Sequence, residues 1–121
     1  MTCLLTATGT VAARGFSRAL GFHVDFETGP SSTIVAGAIL LANRTSPRLT
    51  PYLLESVGLV LVDGGILSHA ANICRLLGIP CIVGIPPSFI NQCHGSLIEL
   101  DALSGTVKLV FQHIDFHTTQ H

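Results

Sequence analysis

GLVLVDGGILSHAANICRLLGIPCIVG (residues 58–84) carries the strongest local pattern in this chain of 121 residues. The apolar run at residues 57–62 predicts a buried strand. Ser68 then stands as a helix N-cap and Leu-Gly-Ile-Pro at 77–80 is a stop signal, so a helix is predicted over residues 68–77. Residues 81–85 predict a short strand. This order indicates a βαβ unit with a parallel strand pair.

Elements outside this unit indicate a mixed sheet. Residues 97–100 and 106–110 are predicted as two hairpin strands, which must be antiparallel, around a turn at 101–105. The remaining predictions are strands at 18–26 and 34–41, loops at 27–33 and 45–51, a helical turn at 51–56, and a turn or short helix at 86–93. The predicted fold class is α/β, in a single domain spanning residues 1–121.

Composition narrows the class of protein. With 48% hydrophobic and 11% charged residues, the chain is expected to be compact and heavily buried. The net charge of −1 argues against binding to nucleic acid or to an anionic membrane. The longest apolar run, residues 34–42, is far shorter than the roughly 20 residues that cross a bilayer. The N-terminus lacks a basic leader before its apolar residues, so a cytoplasmic location is expected.

The cysteines are expected to be reduced thiols and not a metal site. Cys74 falls in the predicted helix and Cys81 in a predicted strand, where free cysteine acts as a small hydrophobe. Cys3 and Cys93 complete the set, and no pair has the C-x-x-C spacing of structural zinc sites. Neither a disulfide nor a bound metal is therefore predicted.

His69 is the candidate catalytic residue, because it stands at the predicted helix start directly after a strand and a glycine pair. The positive end of a helix dipole disfavours the imidazolium form by up to roughly 1 kcal/mol, which keeps the nucleophilic free base available. The N–H groups of the first helical turn also bind phosphate well. Gly64 and Gly65 remove side chains beside the histidine, and Ala70 and Ala71 keep its flank smooth, so that bulky donors can approach.

Three segments in order resemble the mobile, phosphohistidine domain of the phosphoenolpyruvate-utilising enzymes. They are the run at 58–84, RTSPRLTP at 44–51, and LIELDALSGTVKLV at 97–110. This family includes pyruvate phosphate dikinase, phosphoenolpyruvate synthase and enzyme I, and rifampicin phosphotransferase is a related type. The resemblance implies a swivelling β/β/α domain in which His69 carries the phosphoryl group. Residues 1–33 match only loosely, and residues 111–121 are expected to be a polar tail.

The chain departs from the family pattern at Leu67, where many members have threonine. Leucine cannot be phosphorylated, so regulation by phosphorylation at this position is excluded. Leu67 is more typical of the rifampicin phosphotransferase type. Asn72 and Asp63 also differ from the usual residues, with no role assigned.

Two further candidate residues, Thr45 and Ser46, have two interpretations each. Thr45 and Ser46 carry hydroxyls in a loop expected near the glycine pair, where they either position a phosphoryl group or serve only turn chemistry. Arg75 matches the family's arginine and is expected to support the helix and not to contact phosphate. Five further histidines have no predicted function: His23, His94, His113, His117 and His121.

The chain lacks a P-loop and the charged cluster of a magnesium-dependent phosphoenolpyruvate site, so it is not expected to catalyse a complete reaction alone. The resemblance implies a phosphotransferase component that receives a phosphoryl group from ATP or phosphoenolpyruvate. Mg²⁺ and the donor are expected on partner domains, of the ATP-grasp type or binding phosphoenolpyruvate or an acceptor. The alternative is a catalytically inactive interaction module of a larger phosphotransferase or ligase assembly.

Overall fold

The computed structural model describes residues 5–24 and 36–111. This part of the chain forms eight strands, three α-helices and one 3-10 helix. The strands are β1 (Leu5–Thr8), β2 (Thr10–Ala13), β3 (Phe16–His23), β4 (Ile39–Ala42), β5 (Gly58–Leu61), β6 (Cys81–Val83), β7 (Leu97–Asp101) and β8 (Thr106–Phe111). The helices are α1 (Thr50–Leu53), α2 (His69–Leu77) and α3 (Pro87–Cys93), and the 3-10 helix covers Pro47–Leu49.

The strands form a mixed sheet in the order β1-β8-β7-β3-β4-β5-β6-β2. The neighbours from β3 through β6 pair in parallel, and the other neighbours pair antiparallel. The mixed sheet is therefore confirmed. The parallel pairing of β5 with β6 across α2 also confirms the predicted βαβ unit.

The sheet folds back over itself into two layers. β1 and β2 occupy opposite ends of the strand order, yet only Gly9 separates them in sequence, so these ends must meet. β3 belongs to both layers, because residues 16–20 pair with β7 and residues 21–23 pair with β4. Gly9 donates its N–H to the Gly105 carbonyl at 2.9 Å. A Cβ on Gly9 would lie 2.4 Å from the Val83 carbonyl oxygen, so only glycine fits this crossing.

Two buried apolar clusters lie on opposite faces of the parallel layer. Successive side chains of a strand point to opposite faces, which is why Leu40 and Leu41 belong to different clusters. The cluster with Leu40 is covered by α1 and α2, whereas the cluster with Leu41 packs against β7, β8 and α3. Helices α1 and α2, the parallel strands, and the antiparallel strands with α3 beside them are thus stacked in three layers, and the β/β/α fold class is confirmed.

The prediction of a loop at residues 45–51 was wrong. Ser46 caps the 3-10 helix, and α1 follows at once. Pro47 and Pro51 both stand in the first turn of their helices, where proline's missing N–H removes no helical hydrogen bond. Proline in a short segment is compatible with either a loop or a helix start, and at these two positions it begins a helix.

Two strand boundaries also differ from the prediction. The strand predicted at 18–26 covers Phe16–His23. The strand predicted at 34–41 begins only at Ile39, because a turn at residues 36–37 precedes it. Gly37 has φ +82° in this turn, and its N–H donates to the Glu55 carbonyl at 2.8 Å. The helical turn predicted at 51–56 is observed as α1 at Thr50–Leu53, and the remaining predicted elements agree with the observed ones to within two residues.

β1 and β2 were not predicted, and some predictions fall on residues outside the described ranges. Those predictions are the loop at 27–33, Cys3, and the tail with His113, His117 and His121. Among the described residues, no helix is long and apolar enough to cross a membrane.

Candidate functional site

His69 is the first residue of α2, and its side chain is exposed. Ser68 caps the helix, because its Oγ accepts a hydrogen bond from the Ala71 N–H at 3.2 Å. Ser68 has φ −64° and ψ 161°, so the chain turns from an extended approach into the helix at this residue. The buried residues Ala70 and Ala71 hold the first turn against the core, which leaves His69 facing solvent. The predicted helix start, cap and exposure are therefore confirmed.

The helix ends where the sequence indicated. Gly78 has φ +74°, and its N–H donates to the Arg75 carbonyl at 3.3 Å. The Ile79 N–H donates to the Cys74 carbonyl at 3.0 Å. These bonds satisfy the last carbonyls of α2 and fix its position on the sheet.

The glycine turn before His69 lies against the segment that follows β4. The Asp63 N–H donates to the Asn43 carbonyl at 2.7 Å, so the pairing of β4 with β5 continues beyond the strands. Gly64 has φ +142°, and a Cβ there would lie 3.1 Å from Thr45 Cγ2. Gly65 is open, since the nearest atom to an added Cβ is the Leu67 nitrogen at 3.9 Å. Gly64 therefore permits both the turn and the close approach of Thr45, whereas a side chain at Gly65 would meet little.

Thr45 and Ser46 have different surroundings. Thr45 is half-buried against Gly64, so the predicted proximity of this loop to the glycine pair is observed. The Ser46 Oγ accepts a hydrogen bond from the Arg48 N–H at 3.2 Å and so caps the 3-10 helix. The structure brings Thr45 to the glycine turn and gives Ser46 a local capping contact.

Arg75 ties the loop before α2 to the helix. Its guanidinium donates to the Ile66 carbonyl and to Asn72 Oδ1. Asn72, which had no predicted role, thus orients Arg75. These contacts hold residues 66–68 beside the helix and so restrict the backbone that leads into His69.

A polar cluster that was not predicted lies at the carboxyl ends of β3 and β4. His23 Nε2 and Asn43 Oδ1 are 3.0 Å apart, and the His23 backbone N–H donates to His94 Nδ1 at 3.0 Å. The His94 ring packs edge-on against Phe22, with ring centroids 5.3 Å apart. Asn43 also accepts from the Asp63 N–H, so this cluster adjoins the strand end that leads to the glycine turn. Only Asn43, shortly after the strand predicted at 34–41, stood near a predicted strand end, because the strand predicted at 18–26 placed His23 in its interior.

The thiols of the described residues lie in the core and not at the site. Cys74, Cys81 and Cys93 are free and buried. A hydrogen bond with Cys74 and burial raise the pKa of the Cys81 thiol, and burial raises the pKa of Cys93 to about 12. Within residues 5–24 and 36–111, no three histidine, cysteine or acidic side chains cluster as metal ligands.

Fold and site define a β/β/α domain that presents one exposed histidine at a capped helix start. Residues 34–105 match the family described as PEP-utilising enzyme, mobile domain. Because this match covers more than half of the sequence, the chain belongs to that family.

Much longer enzymes contain similar segments. Pyruvate kinase of Sporosarcina psychrophila is 33% identical over 98 residues, which are 81% of this chain and 15% of that protein. Phosphoenolpyruvate synthase of Pyrococcus furiosus is 32% identical over 84 residues, which are 69% of this chain and 10% of that protein. The chain thus spans about 10 to 15% of the length of these relatives, in which the matched domain is one part of a larger enzyme.

Solved structures show the same fold. The N-terminal domain of Enzyme 1 Nitrogen has a TM-score of 0.53 and 26% identity, over 74% of this chain and 37% of that one. Aconitase X of Thermococcus kodakaraensis has a TM-score of 0.68 and 16% identity, over 88% of this chain and 98% of that one. At that lower identity the likeness concerns the fold alone.

Proposed function

We propose that the chain is a phosphoryl-carrier domain, in which His69 accepts a phosphoryl group at one active site and delivers it at a second. The observation that carries this proposal is an exposed histidine as the first residue of a capped helix, directly after an open glycine turn. This position exposes the imidazole to a donor, and membership of the PEP-utilising family supports phosphoryl chemistry.

The proposed transfer occurs in two balanced steps. In the first, the lone pair of a neutral imidazole nitrogen forms an N–P bond, and the P–O bond of the donor breaks with its electrons on the departing oxygen. In the second, an acceptor attacks the phosphorus, and the N–P electrons return to the ring. The start of α2 suits the phosphorylated state, because the free N–H groups and the dipole of the first helical turn favour the anionic phosphoryl oxygens.

Neighbouring residues have supporting roles in this proposal. The open space at Gly65 admits the donor, and Thr45 contacts the glycine turn and offers a hydroxyl near it. Arg75 supports the loop through Ile66 and Asn72 and does not bind the phosphoryl group itself. The phosphate environment is thus assigned to Gly64, Gly65, Ser68 and Thr45, with Ser46 acting through its capping contact. Ala70 and Ala71 are buried, so their side chains do not form the smooth flank that was predicted, and Ala70 contributes only its backbone.

Donor, metal and acceptor are assigned to partner domains, in the same chain or in another. Phosphoryl transfer depends on positioning and on charge stabilisation by Mg²⁺ and cationic groups. We expect ATP or phosphoenolpyruvate to be held with Mg²⁺ on a nucleotide-binding or phosphoenolpyruvate-binding partner. Four alternative groups are proposed as the final acceptor: pyruvate, a protein histidine, a hydroxyl group, or a carboxylate that is activated for ligation.

Enzymatic phosphorylation in trans tests this function. The chain, in excess, is incubated with phosphoenolpyruvate synthase of Pyrococcus furiosus, Mg²⁺ and either ATP or phosphoenolpyruvate, and is mapped by mass spectrometry at mildly alkaline pH. We expect one phosphoryl group on His69, labile in acid and stable in base, because protonation of the ring makes it a good leaving group.

Two variants control this experiment. His69→Ala should remain unlabelled, whereas His94→Ala removes another exposed histidine and should be labelled like the wild type. Phosphate on the His69→Ala variant, or on Ser68 of the wild type, contradicts the proposal. A wild-type chain that neither the synthase nor the small-molecule donor phosphoramidate labels indicates the inactive interaction module instead.

A further inference from the structure

Three large apolar side chains lie exposed around His69. Leu67 is 79% exposed and Leu76 is 83% exposed, while Ile66 is 44% exposed. These values contrast with the core leucines of β4 and β5, which are fully buried. We call Ile66, Leu67 and Leu76 the apolar patch.

The patch residues stand directly before His69 in sequence and on its face of α2. Leu67 lies two residues before it, and Leu76 follows on the same helix face, because residues i and i+7 share a face of an α-helix. The rise along the helix from His69 to Leu76 is about 10 Å. Arg75 donates to the Ile66 carbonyl, which holds the loop against α2 near Leu76. The patch is therefore a rim on the side of α2 that presents the histidine.

We infer, on the basis of the function proposed above, that the apolar patch docks the chain onto the domain that phosphorylates His69. A donor that reaches His69 must cover the surface around it. Transfer also requires a water-excluded site, because water would otherwise compete for the phosphoryl group. Leucine side chains at this rim exclude water without adding charge. The first turn of α2 also has no acidic residue that would repel the phosphates of the donor. The partner surface is accordingly an apolar rim around an anionic, Mg²⁺-bound phosphoryl site.

The size of the patch favours a transient partner over a second copy of this chain. A stable interface buries roughly 800 Å² on each partner, and three side chains are far from that area. A second copy seated here would also cover His69. A carrier must leave its donor in every cycle, so a small apolar contact suits a partner that is bound and released.

Two paired measurements test the inference. In the first, the synthase of Pyrococcus furiosus with Mg²⁺-ATP phosphorylates increasing concentrations of the chain, and initial rates give the half-saturating concentration and the limiting rate. In the second, phosphoramidate phosphorylates His69 without any protein partner, because its P–N bond breaks and ammonia leaves as the imidazole N–P bond forms. Only the first reaction requires docking.

The test variant is Leu67→Gln combined with Leu76→Gln. Both side chains are exposed, so the fold should be retained, and circular dichroism checks this. We expect the half-saturating concentration with the synthase to rise on the order of 10- to 100-fold, with a smaller change in limiting rate and an unchanged phosphoramidate rate. Leu103→Gln is the matched control, because Leu103 is 64% exposed but lies in the β7–β8 turn. That variant should behave as the wild type.

Each other outcome has a distinct meaning. Equal half-saturation of the double variant and the wild type overturns the docking role while His69 labelling still supports the carrier function. Labelling of the wild type by phosphoramidate but not by the synthase overturns the choice of partner. Absence of labelling in both reactions overturns the carrier function itself. A wild-type dimer that becomes monomeric in the double variant, seen by sedimentation, assigns the patch to a second copy instead.

Discussion

Thr45 and Ser46 are adjacent hydroxyl residues whose surroundings predict separable effects. Thr45 faces Gly64 with its Cγ2 methyl, which valine retains, so Thr45→Val removes only the hydroxyl. If that hydroxyl donates to the phosphoryl group as proposed, the variant should phosphorylate His69 about tenfold more slowly through loss of one hydrogen bond. Ser46→Ala removes the cap of the 3-10 helix and should lower the free energy of unfolding by about 1 kcal/mol with little effect on rate. Rates come from the synthase assay and stability from urea unfolding. The reverse pattern would assign the phosphoryl contact to Ser46.

Gly64 and Gly65 are adjacent glycines with different constraints. Gly64 has φ +142° and faces Thr45 Cγ2, so Gly64→Ala should lower the free energy of unfolding by about 1 to 3 kcal/mol. Gly65 has open space around it, so Gly65→Ala should change stability by no more than about 0.5 kcal/mol. Urea unfolding midpoints compare the two variants. Equal losses would mean that the turn depends on the pair and not on the Gly64 backbone.

At the scale of single residues, predictions succeeded where the contacts are local. The Ser68 cap and the helix start at His69 depend on residues that are neighbours in sequence, so the local sequence pattern was enough to predict them. The cluster of His23, Asn43 and His94 was missed because its contacts join residues 20 and 71 positions apart. Only the arrangement of strand ends brings these side chains together.

At the scale of elements, the βαβ unit and the final hairpin were predicted because each contains its own start and stop signals. The 3-10 helix was missed, and α1 (Thr50–Leu53) was predicted only as a helical turn at 51–56. Proline indicates either a loop or the first turn of a helix, and the cap of the 3-10 helix is a single hydrogen bond that Ser46 Oγ accepts from the Arg48 N–H. β1 and β2 are short and pair with β8 and β6, which are distant in sequence. Strands of this kind have little local signal.

The β7–β8 hairpin should respond to acid through Asp101. The backbone N–H groups of Leu103 and Ser104 donate to Asp101 Oδ1 at 3.0 and 3.3 Å, and these bonds lower the pKa of the carboxyl group below its ordinary value of 3.8. A lowered folded-state pKa means that the stabilisation is complete above pH 3.8 and is lost as the pH falls through the folded value. Asp101→Asn should therefore flatten the acid limb of the stability curve, measured by thermal unfolding. An unchanged acid limb would show that the turn does not depend on the carboxylate.

At the scale of the whole molecule, the sequence alone did not reveal how the sheet doubles over. β3 passes from one layer to the other, and Gly9 joins the two ends of the strand order, so the two layers depend on pairings between distant segments. The family resemblance implied the three-layer arrangement that local patterns could not supply. The same arrangement leaves α2 on the outside with His69 exposed, so the overall fold creates the accessibility that the proposed carrier role requires.

The buried thiols should make the whole domain sensitive to alkali. Burial raises the pKa of Cys93 from 9.0 to about 12, so the folded state keeps a proton that the unfolded state has lost. A raised folded-state pKa means that this stabilisation is complete below pH 9 and is lost as the pH rises toward 12. Cys93 alone should lower the free energy of unfolding by about 1.4 kcal/mol for each pH unit in this range. Urea unfolding from pH 7 to pH 11 measures how steeply the free energy of unfolding falls with pH. The Cys93→Ala variant should be less stable at neutral pH, and its free energy of unfolding should fall less steeply. A variant with the wild-type slope would place the Cys93 thiol in contact with solvent and contradict its burial between α3 and the sheet.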